Sequence, residues 1–197
     1  MIPNADLYIF QWLNSWALWT PWMDTLIVFR ATFLGYWIVL ALLLFGMISL
    51  MPMFPRARAR LRTNWEMIVL ALGTATVARF GVVELIRFWY DRARPFEVLS
   101  DVHQLISPGG SISKFHGGGS FPSGHAVFFF ALAAIVGRYY PKTSILFYLA
   151  ALNLSIARVQ ASVHWPSDIV AGALVGILTA LVTRMVLKNY RNPKTAA

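Results

Sequence analysis

From Ala31 to Pro55 the chain carries no charged side chain, a stretch longer than the ~20 residues that cross the hydrocarbon core of a bilayer as a helix. A soluble domain of 197 residues has no interior to absorb such a run when 58% of its residues are hydrophobic, 13% are charged and its mean hydropathy is +0.60. The sequence therefore describes an integral membrane protein. Further apolar runs cover residues 66–88, 123–140, 143–158 and 168–187, the third of these being short for a crossing. The expectation is an all-α, polytopic transmembrane helical bundle of five spans.

Residues 5–20 are also apolar but contain Gln11, Asn14 and Ser15, and Trp12, Trp16 and Trp19 recur there at helical spacing. Tryptophan favours the headgroup level, so this segment reads as an N-terminal interfacial helix stopped by Pro21. The alternative is a sixth span. No repeat, linker or composition break divides the chain, and residues 1–197 are expected to form a single integral membrane domain. No basic residue precedes Arg30, so the charged n-region of a signal peptide is not expected.

The cations decide orientation. Arg56, Arg58, Arg60 and Arg62 follow the first span, Arg138 and Lys142 the third, and Arg184, Lys188, Arg191 and Lys194 the fifth. With alternating spans all three groups share one side, which the positive-inside rule makes cytoplasmic. This placement accounts for the net charge of +9 without nucleic acid as a partner. Trp89 and Trp165 are expected in an outer aromatic belt and Trp65 at the inner edge. Cysteine is absent, which excludes disulfides and thiol nucleophiles and says nothing of the redox compartment.

Three clusters then remain on the outer side, and charge at a membrane edge marks function by default. In RFWYDRARP, Arg87 and Arg94 stand seven residues apart before Pro95, a spacing that returns both to one helical face and offers two guanidinium forks to phosphate oxygens. Anchoring through Glu84 or Asp91 is the plainer reading of Arg87 taken alone. In FPSGH, after the glycine-rich stretch from His116 to Gly119, Ser123 stands as the N-cap of an apolar helix. Free amides at that helix start favour an anion, and His125 in its first turn can donate a proton to a leaving oxygen. In ARVQASVHWPSD, His164 and Asp168 stand four apart around Pro166. A carboxylate so placed can take the proton of one imidazole nitrogen and leave the other as a nucleophile, with Arg158 near the same phosphate. A helix-capping Asp168 beside a water-facing His164 is the alternative for this cluster alone.

In order and internal spacing, Arg87 to Pro95, Pro122 to His125 and Ala157 to Asp168 resemble the signature of the type-2 phosphatidic acid phosphatase superfamily, K-x6-R-P, P-S-G-H and S-R-x5-H-x3-D. The resemblance covers about residues 66–187. It implies a helical membrane core and metal-independent hydrolysis of a phosphate ester or anhydride, with no cofactor. It further implies that His164 is the nucleophile forming a phosphohistidine, that Asp168 orients it, and that His125 serves as acid and then base. Arg87, Arg94, Ser123, Gly124 and Arg158 would bind the phosphate. Arg87 replaces the family's usual Lys, and Ala157 its usual Ser. The small build with a Trp-rich N-terminal helix is similar to the bacterial undecaprenyl-diphosphate phosphatases of the superfamily, so the expected partner is a lipid phosphate in a bacterial plasma membrane, met at an outward-facing site. Phosphatidylglycerophosphate and phosphatidate phosphatases share the motifs. A non-enzymatic anion transporter is the contrasting class. Few acidic residues and no short metal-binding motif speak against a resident metal, and His103 and His116 read as loop residues.

Overall fold

Proline punctuates this chain. Pro21, Pro55, Pro95, Pro141 and Pro166 each open a helix, where the missing N–H costs nothing and the fixed φ suits the first turn. A computed structural model describes residues 4–106 and 119–191, and among them there are helices and no strand. In chain order they are α1 (Asn4–Asn14), α2 (Pro21–Ile48), α3 (Pro55–Arg58), α4 (Leu61–Trp89), α5 (Pro95–Val98), α6 (Gly124–Tyr139), α7 (Pro141–Gln160) and α8 (Pro166–Arg191). The helices α2 and α4, and α8 as far as Lys188, are long and apolar enough to cross a membrane. The apolar α6 is shorter, and α7 has 20 residues but carries Asn153, Ser155 and Arg158 among its apolar positions.

The first span sits earlier than its charge-free run implies. It begins at Pro21 and ends at Ile48, because Asp24 and Arg30 are accommodated within it. Asp24 Oδ1 accepts the Leu18 N–H at 2.7 Å, and Arg30 Nη2 donates to Gln160 Oε1 at 3.0 Å. Two π-turns interrupt the long helices, at Phe29–Phe33 in α2 and at Ala78–Val82 in α4. Such turns gather at functional positions in helices generally.

The interior is lined by small residues. Ala71, Ala75, Ala78, Ala131, Ala151 and Ala157 are fully buried, while Leu40, Leu43, Val69, Leu174 and Leu178 point outward. This is the pattern of helices that associate through close packing in lipid. Helix α6 is the centre, and α4, α7 and α8 surround it. The closest approach is to α8 at Gly172 and Gly176, four residues apart. A Cβ at Gly172 would lie 2.8 Å from the Ser123 carbonyl oxygen, and one at Gly176 would lie 2.4 Å from that of Val127. These glycines bring the start of α8 against the start of α6.

At the opposite end Arg138, Arg184 and Lys188 line a cavity of about 570 Å³ with Glu66. Arg138, Arg184 and Lys188 of the expected cation groups thus do gather at one end of the bundle, while Lys194 lies outside the described residues.

Helix α1 spans 11 residues, about 17 Å at 1.5 Å per residue, well short of a ~30 Å hydrocarbon core. It buries Asp6, Phe10 and Asn14 and exposes Tyr8, Ile9 and Trp12. The helix stops at Asn14 rather than running to residue 20, because the Trp16 and Ala17 amides turn to the carbonyls three residues back and Leu18 takes a left-handed φ of 61°, while the Asn14 side chain ties the end down. Its Nδ2 donates to the carbonyls of His103 and Gln160 at 2.9 and 2.8 Å, and its Oδ1 accepts the His103 N–H. The Trp stripe survives that ending, with Trp12, Trp16 and Trp19 packed edge to face in succession.

Candidate active site

The three clusters expected from the sequence converge where α4 ends and α6 and α8 begin. Arg87 lies in the last turn of α4, and its Nη2 donates to the Pro122 carbonyl at 3.1 Å, joining the first cluster to the second. Ser123 N–H donates to the Asp168 carbonyl at 3.1 Å, joining the second to the third. Arg94 Nη1 donates to the Val163 carbonyl at 2.8 Å and Arg158 Nη1 to the Ala31 carbonyl at 3.2 Å. Ala31 belongs to the π-turn of α2, where the altered hydrogen-bond pattern gives a carbonyl to an outside donor.

Arg87 and Arg94 meet by a different route from the one their spacing implies. Helix α4 stops at Trp89, Tyr90 is extended at φ −140°, and Arg94 is extended at φ −78° and ψ 158°. Proline disfavours helical geometry in the residue before it, so the two arginines do not share a helical face. The chain turns back between them. Glu84 lies 3.5 Å from Arg87 but is held more closely by Arg79, at 2.6 Å.

His164 occupies the turn from α7 to α8. Ser162 takes a left-handed φ of 67° there, a strained choice for a residue with a side chain, and the chain reverses sharply enough to point the imidazole inward. His164 is 2% exposed. It therefore does not face water, and its burial follows from a specific partner. Nδ1 lies 2.9 Å from the Ser120 carbonyl oxygen and 3.6 Å from Asp168 Oδ2. A carbonyl can only accept, so Nδ1 carries the proton and Nε2 keeps its lone pair. Burial pushes the His164 pKa down to about 4, against the pull of the Asp168 carboxylate, so the ring is neutral at pH 7.

Acid should therefore affect this group late. The unfolded chain's histidine takes up a proton near 6.5 and the folded one near 4. The stability linked to this site is fully present above 6.5 and is lost as pH falls through that window. An NMR titration of the His164 imidazole in the folded protein should have its midpoint near pH 4. A midpoint at 6.5 would mean that the ring is solvated.

Asp168 is a junction. Its Oδ1 accepts Arg92 Nη1 at 2.7 Å and its Oδ2 accepts the Trp165 N–H at 2.8 Å. Arg92 Nη2 also donates to Asp6 Oδ2 at 2.6 Å, and Asp6 accepts the Ser167 N–H at 2.8 Å. The N-terminal helix is thereby tied to the turn that carries His164. Trp165 lies inside this tie and not in an outer belt. It is fully buried, packs on Phe10 with ring centroids 5.3 Å apart, lies under Arg92 and donates its indole N–H to the Ala93 carbonyl. Trp89, in contrast, is exposed, and Trp65 is half-buried.

Arg92, Asp6 and the Ser120 carbonyl escaped the sequence reading. Asp6 had a legible signal, as a carboxylate in an apolar stripe. Nothing in the order of residues marks a backbone carbonyl. His116 and the glycines at 117 and 118 lie outside the described residues, whereas Gly119 packs against Asp91.

Around this centre Arg87 Nε, Arg158 Nε and the Ser123 hydroxyl are buried without a hydrogen-bond partner. Ser123 is the N-cap residue of α6, as its sequence position implies, but its hydroxyl does not cap the helix. Buried polar groups are normally satisfied. Three that are not, each from a different cluster, fit a ligand rich in acceptor oxygens. Arg94 adds charge nearby, with its pKa lowered by burial first and in part by the positive charge of Arg79. Among the described residues no group of three His, Cys, Asp or Glu side chains could hold a metal ion.

Fold and site together define a helical membrane protein with an arginine-rich anion site next to a neutral, oriented histidine. The family model of the PAP2 superfamily matches residues 68–191, and the chain belongs to that superfamily of membrane lipid phosphatases. It is 26% identical to the bacitracin transport permease protein BcrC of Bacillus licheniformis, over 90% of this chain and 78% of that one. It is also 26% identical to the putative undecaprenyl-diphosphatase YbjG of Escherichia coli K12, over 94% of this chain and 84% of the relative. The crystal structure of Aquifex aeolicus LpxE has the same fold, with a TM-score of 0.67 and 23% identity over 93% of this chain and 96% of that one.

Proposed function

We propose that this protein hydrolyses undecaprenyl diphosphate to undecaprenyl phosphate and inorganic phosphate at the outer face of a bacterial plasma membrane, with α6 and α7 completing five crossings. The observation that carries the phosphatase reading is the set of unpartnered donors on Arg87, Arg158 and Ser123 around a histidine whose Nε2 lone pair is free to attack. The long-range similarity to a relative named as a putative undecaprenyl-diphosphatase supports the choice of substrate. The cations at the other end of the bundle support the outward face.

In this reading the arginines and the amides at the start of α6 hold the terminal phosphate. Nε2 of His164 attacks phosphorus as the bridging P–O bond breaks, and the electron pair leaves on the lipid phosphate. His125, in the first turn of α6, donates a proton to that oxygen and then takes one from the water that cleaves the phosphohistidine. Nδ1–H stays on the Ser120 carbonyl throughout, with Asp168 beside it to stabilise the ring as it gains positive charge. Arginine charge and helix-end amides meet the transition-state charge without a metal.

Purified protein in detergent should release phosphate from undecaprenyl diphosphate faster than from phosphatidylglycerophosphate or phosphatidate. Turnover should survive exhaustive chelation, and vanadate should compete with substrate. A clear preference for either monoester would replace the substrate and keep the phosphatase. Loss of activity in chelator with rescue by Mg²⁺ would overturn the mechanism. Binding without phosphate release would favour a transporter, the role named for the Bacillus licheniformis relative.

A further inference from the structure

Arg79 is a further arginine at this site, outside all three sequence clusters. It sits in the π-turn of α4, and its side chain runs to the start of α6. A Cβ placed on Gly124 would lie 2.3 Å from Arg79 Nε, 2.6 Å from Cδ and 2.8 Å from Cζ. Glycine at 124 thus leaves the space that this guanidinium fills. The charge of Arg79 acts on His125, Arg87, Arg94 and Arg158 alike, so it belongs to the same electrostatic centre.

Its Nη1 donates to Glu84 Oε1 at 2.6 Å. Residues five apart do not face each other on an α-helix, and the wider π-turn brings this pair together. Glu84 engages one of the five donors that a guanidinium offers. Arg79 is also partly open, with 26% of its side chain exposed, and stacks on the outward-facing Phe80. It stands eight residues before Arg87, so its backbone lies about 12 Å deeper along α4, and its side chain climbs from there to the start of α6.

That approach has a chemical meaning, because the guanidinium reaches the site from the bilayer side. A lipid diphosphate enters with its tail in the bilayer, so its terminal phosphate lies outermost and the phosphate bonded to the lipid lies deeper. We propose that Arg79 is a further phosphate ligand that holds this lipid-linked phosphate, which makes it the residue that selects a diphosphate over a monoester. The proposal rests on the diphosphatase reading above and deepens it. When the bond from His164 Nε2 to the terminal phosphorus forms, the bridging P–O bond breaks and its electron pair becomes charge on the lipid phosphate. Arg79 meets that charge at the leaving group. A phosphate monoester presents no second phosphate, and Arg79 gains nothing from it.

The test compares wild type, Arg79→Ala and Arg79→Lys in detergent on undecaprenyl diphosphate and on phosphatidate, with inorganic pyrophosphate and orthophosphate as competing anions. Arg79→Ala should lower kcat/KM roughly 30-fold on the diphosphate and less than about threefold on phosphatidate, the loss of one charged hydrogen-bonding group. Inhibition by pyrophosphate should weaken by a similar factor while that by orthophosphate holds, and Arg79→Lys should recover part of both. Equal losses on both substrates, or none on either, would overturn the assignment. If wild type cleaves only phosphatidate, the diphosphatase reading fails. In that case a selective pyrophosphate effect still upholds Arg79 as the second-phosphate ligand, and its absence removes that role too. Should Arg79→Ala fail to fold, Arg79→Gln takes its place with the same expected selectivity.

Discussion

Replacing His164 by alanine or by asparagine should reduce phosphate release by at least about 10⁴-fold, the scale at which loss of a nucleophile acts when the rest of a site is intact. The two variants should differ in stability. Alanine removes the donor that satisfies the buried Ser120 carbonyl, which costs about 1–3 kcal/mol, whereas an asparagine amide can still donate to it. Rapid quenching of wild type with labelled substrate should trap an acid-labile phosphoryl group at residue 164, and neither variant should carry it. Wild-type-like turnover in His164→Asn would remove this histidine from the chemistry. Slow turnover with a normal phosphoenzyme level would move the nucleophile to another residue.

Asp168→Ala should be the most destabilising single change in the site. Asp168 is fully buried, and its carboxylate holds Arg92 and the Trp165 amide. Truncation leaves Arg92, whose side chain is 14% exposed, with Asp6 as its one remaining carboxylate and strips the Trp165 N–H of its acceptor, which costs at least about 1–3 kcal/mol. A lower melting temperature in detergent and loss of extractable folded protein are the expected results. Asp168→Asn keeps the volume and one acceptor and should fold. It removes the negative charge 3.6 Å from the imidazole, and turnover should fall by about 10²–10³-fold. An Asp168→Asn enzyme with unchanged kcat would leave the Ser120 carbonyl as the sole orienting group of His164. An Asp168→Ala protein as stable as wild type would mean that Arg92 is held by Asp6 alone.

The different legibility of the two arginines in RFWYDRARP has a physical cause. Their nearness was readable from spacing, yet the helix that would have put them on one face ends at Trp89. Pro95 was visible as the reason, through its effect on Arg94, but the fold-back that joins them depends on Val163 and Pro122, which are remote in sequence. The first span was misplaced for a related reason. The charge-free run begins at Ala31, and Asp24 and Arg30 before it are tolerated in the helix because a neighbour supplies each with a partner. Trp165 shows the same limit. A tryptophan beside a basic cluster has the composition of a belt residue, and only the packing of α1 against α7 and α8 encloses it.

By itself the sequence determined the membrane class, the helical architecture, the cation-rich end and the three clusters that the fold brings together. All of these follow from hydropathy, charge and local spacing, which are properties of neighbouring residues. Tertiary structure decided that Nδ1 of His164 faces the Ser120 carbonyl and that Asp6, Arg92 and Arg79 lie beside the candidate site. Those features are set by single carbonyls and by arginines reaching across helices. The directional bonds responsible join residues as far apart as Asp6 and Ser167, and a linear order of residues does not encode where such bonds meet in space.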